Sequence, residues 1–347
     1  MTTPRRHNRG AQTSRRGGSG EARRSRATRT RRRQRLHDGS VTPVVIDVDT
    51  GIDDSLALVF LLASPDAEIL GIASTAGNIG ASQVAANNLA WLDLCEAPPI
   101  EVAVGSPVPL VIPLRTTEDT HGPQGIGYAV LPSSQRSVST RSAAEMWVDL
   151  VRSRPDEITG LVTGPLTNLA LALRLEPELP HLLRRLVIMG GAFNYAGNTT
   201  PTTEWNISVD PEAAKVVFDA FSGLPAERRP IVCALDITER IEMRAEHLER
   251  LGARAGSEPP ELIGESDPAD ARSQASNPLI RHLSDAVRFY MTFHRHQGLG
   301  HISHMHDPFA AAVALDPALA TTRSATVDVE LAGTLTRGMT VADWTGM

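Results

Sequence analysis

The chain has 347 residues, 41% of them hydrophobic, with 34 basic and 40 acidic side chains and a formal net charge of −6. That is long enough for one large α/β domain or two ordinary ones with a sizeable core, and no apolar run approaches the ~20 residues needed to span a bilayer, so a soluble, cytoplasmic protein is expected. Two cysteines, Cys95 and Cys233, each inside an apolar stretch, exclude a disulfide framework and a cysteine zinc site and read as buried thiols of a reducing compartment.

Charge is unevenly divided. Residues 1–40 carry 13 arginines against Glu21 and Asp38, a net +11, which leaves −17 for the rest of the chain. Such an arm, rich in Arg, Ser, Gly and Thr, cannot bury enough surface to fold, and residues 1–41 are expected to be disordered. Its twin arginines are followed by no apolar segment, which argues against an export signal. Non-specific binding of nucleic acid is the functional alternative, and a dispensable tail or an upstream start codon is the preferred reading.

From Thr42 onward a single domain, residues 42–347, is expected. Val44–Val48 is β-branched and apolar, as in a buried parallel strand, and Ser55–Ala63 is apolar all round, as in a covered helix. Between them the chain places Asp47, Asp49, Asp53 and Asp54. Residues two apart on a strand point the same way, so Asp47 and Asp49 are expected to face one pocket, while Asp53 and Asp54 open the helix, whose N-terminus favours anions. Four close carboxylates repel unless a cation or a shared proton offsets them, and oxygen-only donors favour Ca²⁺ or Mg²⁺ over zinc. A helix cap at Asp53 or Asp54 and a surface role for Asp47 would explain one or two of the four, not all.

Apolar runs then alternate with helical stretches at 67–75, 100–105, 157–163, 184–191 and 229–238. This pattern predicts an α/β fold, a mostly parallel central sheet with helices on both faces, Rossmann-like in its layout. Asp49, Asn78, Thr163, Gly190 with Gly191, Asn198 and Asp236 each follow a strand, where open α/β sheets place their ligand crevice. Residues 251–276, rich in Glu, Pro, Ser and Gly, read as a mobile surface insertion. Next come His294, His296, His301, His304 and His306, whose spacing matches no single helical face, so a chemical role is assigned only to His306, beside Asp307. On spacing alone, Asp307-Pro308 before a run of alanines reads as a helix cap, as does Asp210-Pro211.

Seven segments in order carry a more specific signal. They are DVDTGIDDSLAL from Asp47, TAGN ending at Asn78, HGPQGIG from His121, VTGPLTNLALAL from Val162, MGGAFNYAGNTTPTTEWNISVDPEAA from Met189, HDPFAAA from His306 and TRGMTV from Thr336. Together they closely resemble the inosine-uridine preferring nucleoside hydrolase family. The resemblance implies calcium-dependent hydrolysis of the N-glycosidic bond of ribonucleosides. It implies Asp49, Asp54, the backbone carbonyl of Thr163 and Asp307 as ligands of one Ca²⁺ that also carries the nucleophilic water, with Asp49 as general base. It further implies Asp53, Asn78, Asn198, Glu204 and Asn206 on the ribose, His306 as candidate proton donor to the leaving base, His121 on the base side, Asp47 supporting the ligand turn, and a homodimer or homotetramer. An oxocarbenium-like transition state suits this division of labour.

Several positions depart from the family pattern. Thr50 stands where proline is usual, Trp205 replaces phenylalanine, Gln124 stands where many members carry an acid, and the family usually continues for a few elements beyond TRGMTV. A terminal element is therefore expected to be missing, with reduced stability. His121 with His306 leans toward pyrimidine or broad base use. Of the alternatives, a non-catalytic nucleoside- or sugar-binding protein ranks second. A haloacid dehalogenase-type phosphatase ranks lower, because Gly51 occupies its Thr/Val position and Lys215, the one lysine, lies in a helical pattern. A zinc amidohydrolase lacks its early His-x-His strand.

Overall fold

The computed structural model describes residues 41–346 other than 269 and 270, so the predicted arginine-rich arm, but for Val41, lies outside the described residues. Alternation along the first strand, β1 (Thr42–Val48), sets the architecture. Val44, Ile46 and Val48 enter one hydrophobic cluster and Val45 enters the other, so both faces of β1 must be covered. It pairs in parallel with β2 (Ala67–Ser74) and β4 (Thr159–Val162). Further parallel pairs add β3 (Glu101–Val104), β5 (Arg185–Met189) and β6 (Ile231–Cys233), giving a six-stranded sheet of order β3-β2-β1-β4-β5-β6.

Helices cover both faces, as predicted. Four fill one cluster: α1 (Ile52–Ala63), α2 (Ala81–Leu94) and, from late in the chain, the helices at Pro278–His296 and His306–Leu315. Across the sheet lie α3 (Ala143–Ser153), α4 (Thr167–Leu175) and, beyond the short α5 (Trp205–Val209), α6 (Pro211–Ser222). The helix at Ala245–Arg254 is α7, which makes Pro278–His296 α8 and His306–Leu315 α9. Two antiparallel pairs complete the fold, β7 (Glu242–Met243) with β8 (Ser303–His304), and β9 (Thr326–Val329) with β10 (Thr340–Asp343).

The chain moves outward from β1 through β2 to β3, then returns to the other side of β1 as β4. Adjacent connections therefore leave the C-terminal ends of β1 and β4 in opposite directions, opening the crevice that such sheets use for ligands. Asp49 follows β1 and Thr163 follows β4, so the switch point carries both.

Two predicted boundaries differ. The apolar run 229–238 is a strand only over Ile231–Cys233; Leu235–Thr238 forms a helical turn, tied to the end of β5 by Leu235 N–H donating to the Gly191 carbonyl at 3.0 Å. The segment 251–276 begins as the end of α7, and its Glu261 and Ser273 are buried. Arg288 on α8 donates to Glu261 and to Asp267, each at 2.8 Å, so this strap is fastened to the helix it crosses.

Candidate active site

The turn after β1 reverses the chain into α1 through Asp49, Thr50 and Gly51. Gly51 N–H donates to Asp54 Oδ2 at 2.8 Å, and Thr163 Oγ1 donates to Asp54 Oδ1 at 2.7 Å, so Asp54 ties the start of α1 to the end of β4. Asp53, Asp54 and, from the start of α9, Asp307 bring carboxylate oxygens within 4.8 Å of one another, all buried. Asp307 is not a cap: α9 begins after Met305, and no side chain caps it. Asp49 lies beneath this group, 0% exposed, with Oδ2 accepting from Asn78 N–H at 2.8 Å.

Burial, then mutual repulsion, governs these acids. Asp53 is pushed up to about 7 by burial and by the charge of Asp54. Burial and the neighbouring aspartates raise Asp49 and Asp307 well above the usual carboxylate range, and burial raises Asp54.

Asp47 does not join them, contrary to the expectation that it shares a pocket with Asp49. The strand ends at Val48, so period-two alternation stops before Asp49, and Asp47 shares the parity of Val45, facing the α3 side. There its oxygens accept from Trp147 Nε1 and Asn168 Nδ2, each at 2.9 Å. Burial pushes it up to about 6 against those two donors. Its support of the turn runs through the backbone, where the Asp47 carbonyl accepts from Thr163 N–H at 2.9 Å.

Above the aspartates opens a cavity of about 650 Å³, a volume that suits a small ligand. Asn78, Asn198, Glu204 and Asn206 form one side; of the strand-end positions, Asn78, Thr163 and Asn198 line the cavity, whereas Asp236 is not among the lining residues. Glu204 caps α5, accepting from Gly191, Asn206 and Ile207 N–H groups, and is buried. Asn206 Nδ2 donates to the Thr163 carbonyl at 2.6 Å, which fixes the orientation of that carbonyl. Asn198 is exposed, and its Oδ1 accepts from Trp205 N–H at 2.9 Å.

Imidazoles and rings form the other side. His121 Nδ1 accepts from Ile52 N–H at 3.1 Å, which puts its one proton on Nε2, and burial pushes the ring down to about 3. His294 is the opposite tautomer: its Nδ1 donates to the Tyr290 carbonyl at 2.8 Å and burial pushes it down to about 4. His306 Nδ1 meets Thr238 Oγ1 at 2.7 Å, and His304 stacks edge-on between His294 and His306 at 4.6 and 5.5 Å.

Sequence reasoning missed Tyr290, His294, His304, Tyr195 and Glu239, all in the lining. For Tyr290 and His294 the signal was available, since residues four apart on α8 share one helical face; His304 reaches the cavity through β8, a two-residue strand with no readable period. Lys215, in the middle of α6 and absent from the cavity lining, pairs with Asp219 and Asp328 at 2.7 and 3.0 Å, which leaves the phosphatase alternative without its lysine.

The residues fit a hard cation. Three buried carboxylates converge, Asp49 Oδ1 and Asn78 Oδ1 are buried with no hydrogen-bond partner among the described residues, and no lysine or arginine lines the cavity to neutralise them. A Cβ on Gly77 would lie 2.2 Å from Asp49 Oδ2, so the glycine is what lets Asp49 fold under the crevice.

Residues 44–347 match the family model described as inosine-uridine preferring nucleoside hydrolase. A pyrimidine-specific ribonucleoside hydrolase RihA of Salmonella schwarzengrund (strain CVM19633) is 36% identical over 303 residues, covering 87% of this chain and 88% of the relative. Among solved structures, a purine-preferring ribonucleoside hydrolase from Gardnerella vaginalis superposes with a TM-score of 0.75 at 31% identity, covering 88% of this chain and 89% of its own. A plant nucleoside hydrolase, the PpNRh1 enzyme, gives 0.75 at 30% identity, covering 88% and 87%. With the acid cluster at the switch point, the amide-lined wall and these likenesses in agreement, the chain belongs to the inosine-uridine preferring nucleoside hydrolase family and is an N-glycosyl hydrolase.

Proposed function

We propose that this protein hydrolyses the N-glycosidic bond of ribonucleosides with the help of one Ca²⁺, releasing base and ribose. The observation that carries the reading is the buried cluster of Asp53, Asp54 and Asp307 with Asp49, set beneath a 650 Å³ cavity that has carboxylates and amides on one side and neutral imidazoles on the other. Asp49, Asp54, the Thr163 carbonyl and Asp307 would hold the cation, with Asp53 close enough to share in it. Bound there, the cation would balance the acids and lower the pKa of a water beside the sugar.

The chain's own residues supply the rest. Asp49 Oδ1, without a hydrogen-bond partner among the described residues, would take the proton of the attacking water. Asn78, Asn198, Asn206 and Asp53 would hold the ribose hydroxyls, and the Glu204 carboxylate would stabilise positive charge growing on the ring. His306 would stand at the leaving base. With Thr238 Oγ1 donating to its Nδ1, neutral His306 would offer Nε2–H to the leaving base as a hydrogen-bond donor; full proton transfer would need the imidazolium, with Nδ1–H then donating to Thr238 Oγ1. His121 offers a second N–H on the same side. Pyrimidine or broad base use, a cytoplasmic setting and a homodimer or homotetramer complete the proposal.

Ribose release from inosine, uridine, cytidine and adenosine, with and without a calcium chelator and beside Asp49→Ala, tests it. The expected result is chelator-sensitive release that the substitution abolishes. No release by folded, calcium-loaded protein would leave a nucleoside-binding role in its place.

A further inference from the structure

The loop between β5 and α5 carries Asn198 and ends at Glu204, so it forms the sugar side of the cavity. Its stem is fixed: Ala192 N–H donates to Thr340 Oγ1 at 2.9 Å, Gly191 O accepts from Leu235, and Phe193 packs edge-on against Trp344 at 6.3 Å. Its crest is not. The described hydrogen bonds of residues 197–203 are local or run to the Leu335 turn.

One contact crosses the rim. Tyr195, 40% exposed, donates its hydroxyl to Glu239 Oε2 at 2.7 Å, and both residues line the cavity. Glu239 directly follows Thr238, whose hydroxyl holds His306 Nδ1. A hydrogen bond to a carboxylate is stronger than a neutral one, yet at a partly exposed rim it still exchanges with water. That combination suits a catch that opens and closes.

We propose that Tyr195 and Glu239 form a latch across the rim of the cavity, closing the sugar-side loop over bound nucleoside and tying it to the helical turn that orients His306. The inference rests on the reading of the cavity as a nucleoside site. Closed, the latch retains substrate and links the sugar side to the base side; open, it lets ribose leave. Tyr195 and Glu239 are positioning residues here, acting through the loop and through Thr238 rather than on the reacting atoms.

Tyr195→Phe removes the hydroxyl and keeps the ring, so it tests the latch without emptying a packed position. Loss of a charge-assisted hydrogen bond predicts a KM about tenfold higher with kcat changed by less than about threefold. Glu239→Gln, which keeps an acceptor oxygen but loses the charge, gives a KM between wild type and Glu239→Ala, whereas Glu239→Ala matches Tyr195→Phe, and the double variant is no worse than either single one. A KM for Tyr195→Phe within about twofold of wild type, or losses that multiply in the double variant, overturns the latch. Amide hydrogen exchange separates this from failure of the activity itself. If wild type releases no ribose from any nucleoside, the hydrolase reading fails, and the latch is judged on residues 194–199. Exchange there about fivefold faster in Tyr195→Phe at unchanged Tm supports it, and unchanged exchange overturns it.

Discussion

Replacing Asp307 by asparagine separates a cation ligand from a structural carboxylate. In calcium-free protein, two ionised carboxylates with oxygens no more than 4.8 Å apart repel by ~3.5 kcal/mol or more at an effective dielectric of about 20. Proton uptake relieves most of this, as the raised values of Asp53 and Asp307 indicate. The amide should therefore cost nothing in the presence of chelator, and relief of residual repulsion, ~1 kcal/mol, should raise Tm slightly. Calcium reverses the order. At about 100 times its Kd a bound ligand adds ~2.7 kcal/mol. With an unfolding entropy of ~2.1 cal/mol/K per residue over about 300 residues, that is ~4 °C in Tm for wild type. Asp307→Asn should lose most of this shift. Differential scanning fluorimetry with chelator and with calcium reads both signs in one experiment. A variant that melts several degrees lower in chelator yet keeps the full calcium shift would refute the reasoning, because Asp307 would then be structural.

Four further outcomes follow from the same geometry. Asp53 is raised to about 7 in the folded, calcium-free protein, and a group raised on folding stabilises below its unfolded value and loses that contribution as pH rises through the folded one. Calcium-free protein should therefore melt higher at about pH 5 than at about pH 7.5, and saturating calcium should flatten the difference; a chelated protein that gains stability from pH 5 to 7.5 would contradict the crowding. Gly77→Ala would push a Cβ to within 2.2 Å of Asp49 Oδ2, so ribose release should fall by about 100-fold in a protein that stays folded by circular dichroism. Trp147→Phe strips a donor from the buried Asp47 carboxylate and should cost ~1–3 kcal/mol in urea unfolding. Thr238→Val leaves His306 Nδ1 without its partner, and kcat should drop by about tenfold or more while KM holds, a split that steady-state kinetics resolves.

The layout of the sheet was legible because each buried strand is an apolar run of its own, separated by helical periods, and the strand-end polar residues announced the crevice. What the pattern could not give is where a strand stops bending its side chains by the rule of two. Asp47 and Asp49 share a parity in the sequence, yet β1 ends at Val48 and the turn carries Asp49 under the crevice while Asp47 stays on the Trp147 side. The run 229–238 failed in the same way: it is largely apolar, but at Leu235 the backbone pairs with Gly191 instead of extending the sheet. Local pattern records burial, and here burial continued after the strand had ended.

The histidines show the complementary limit. Five in thirteen positions looked like one feature, but the fold divides them. His294 and His304 join His306 in the cavity wall from three separate elements, and His121 arrives from 173 positions before His294 to meet Tyr290, with ring centroids 5.4 Å apart. Each of the two whose tautomer is fixed owes it to a backbone group: Ile52 N–H for His121 and the Tyr290 carbonyl for His294. Main-chain atoms thus decide that one ring presents an N–H and the other a lone pair. The chemistry of the base side is consequently written in where α1 starts and how α8 runs, and a change of side chain at either histidine would alter what is offered without altering what holds it in place.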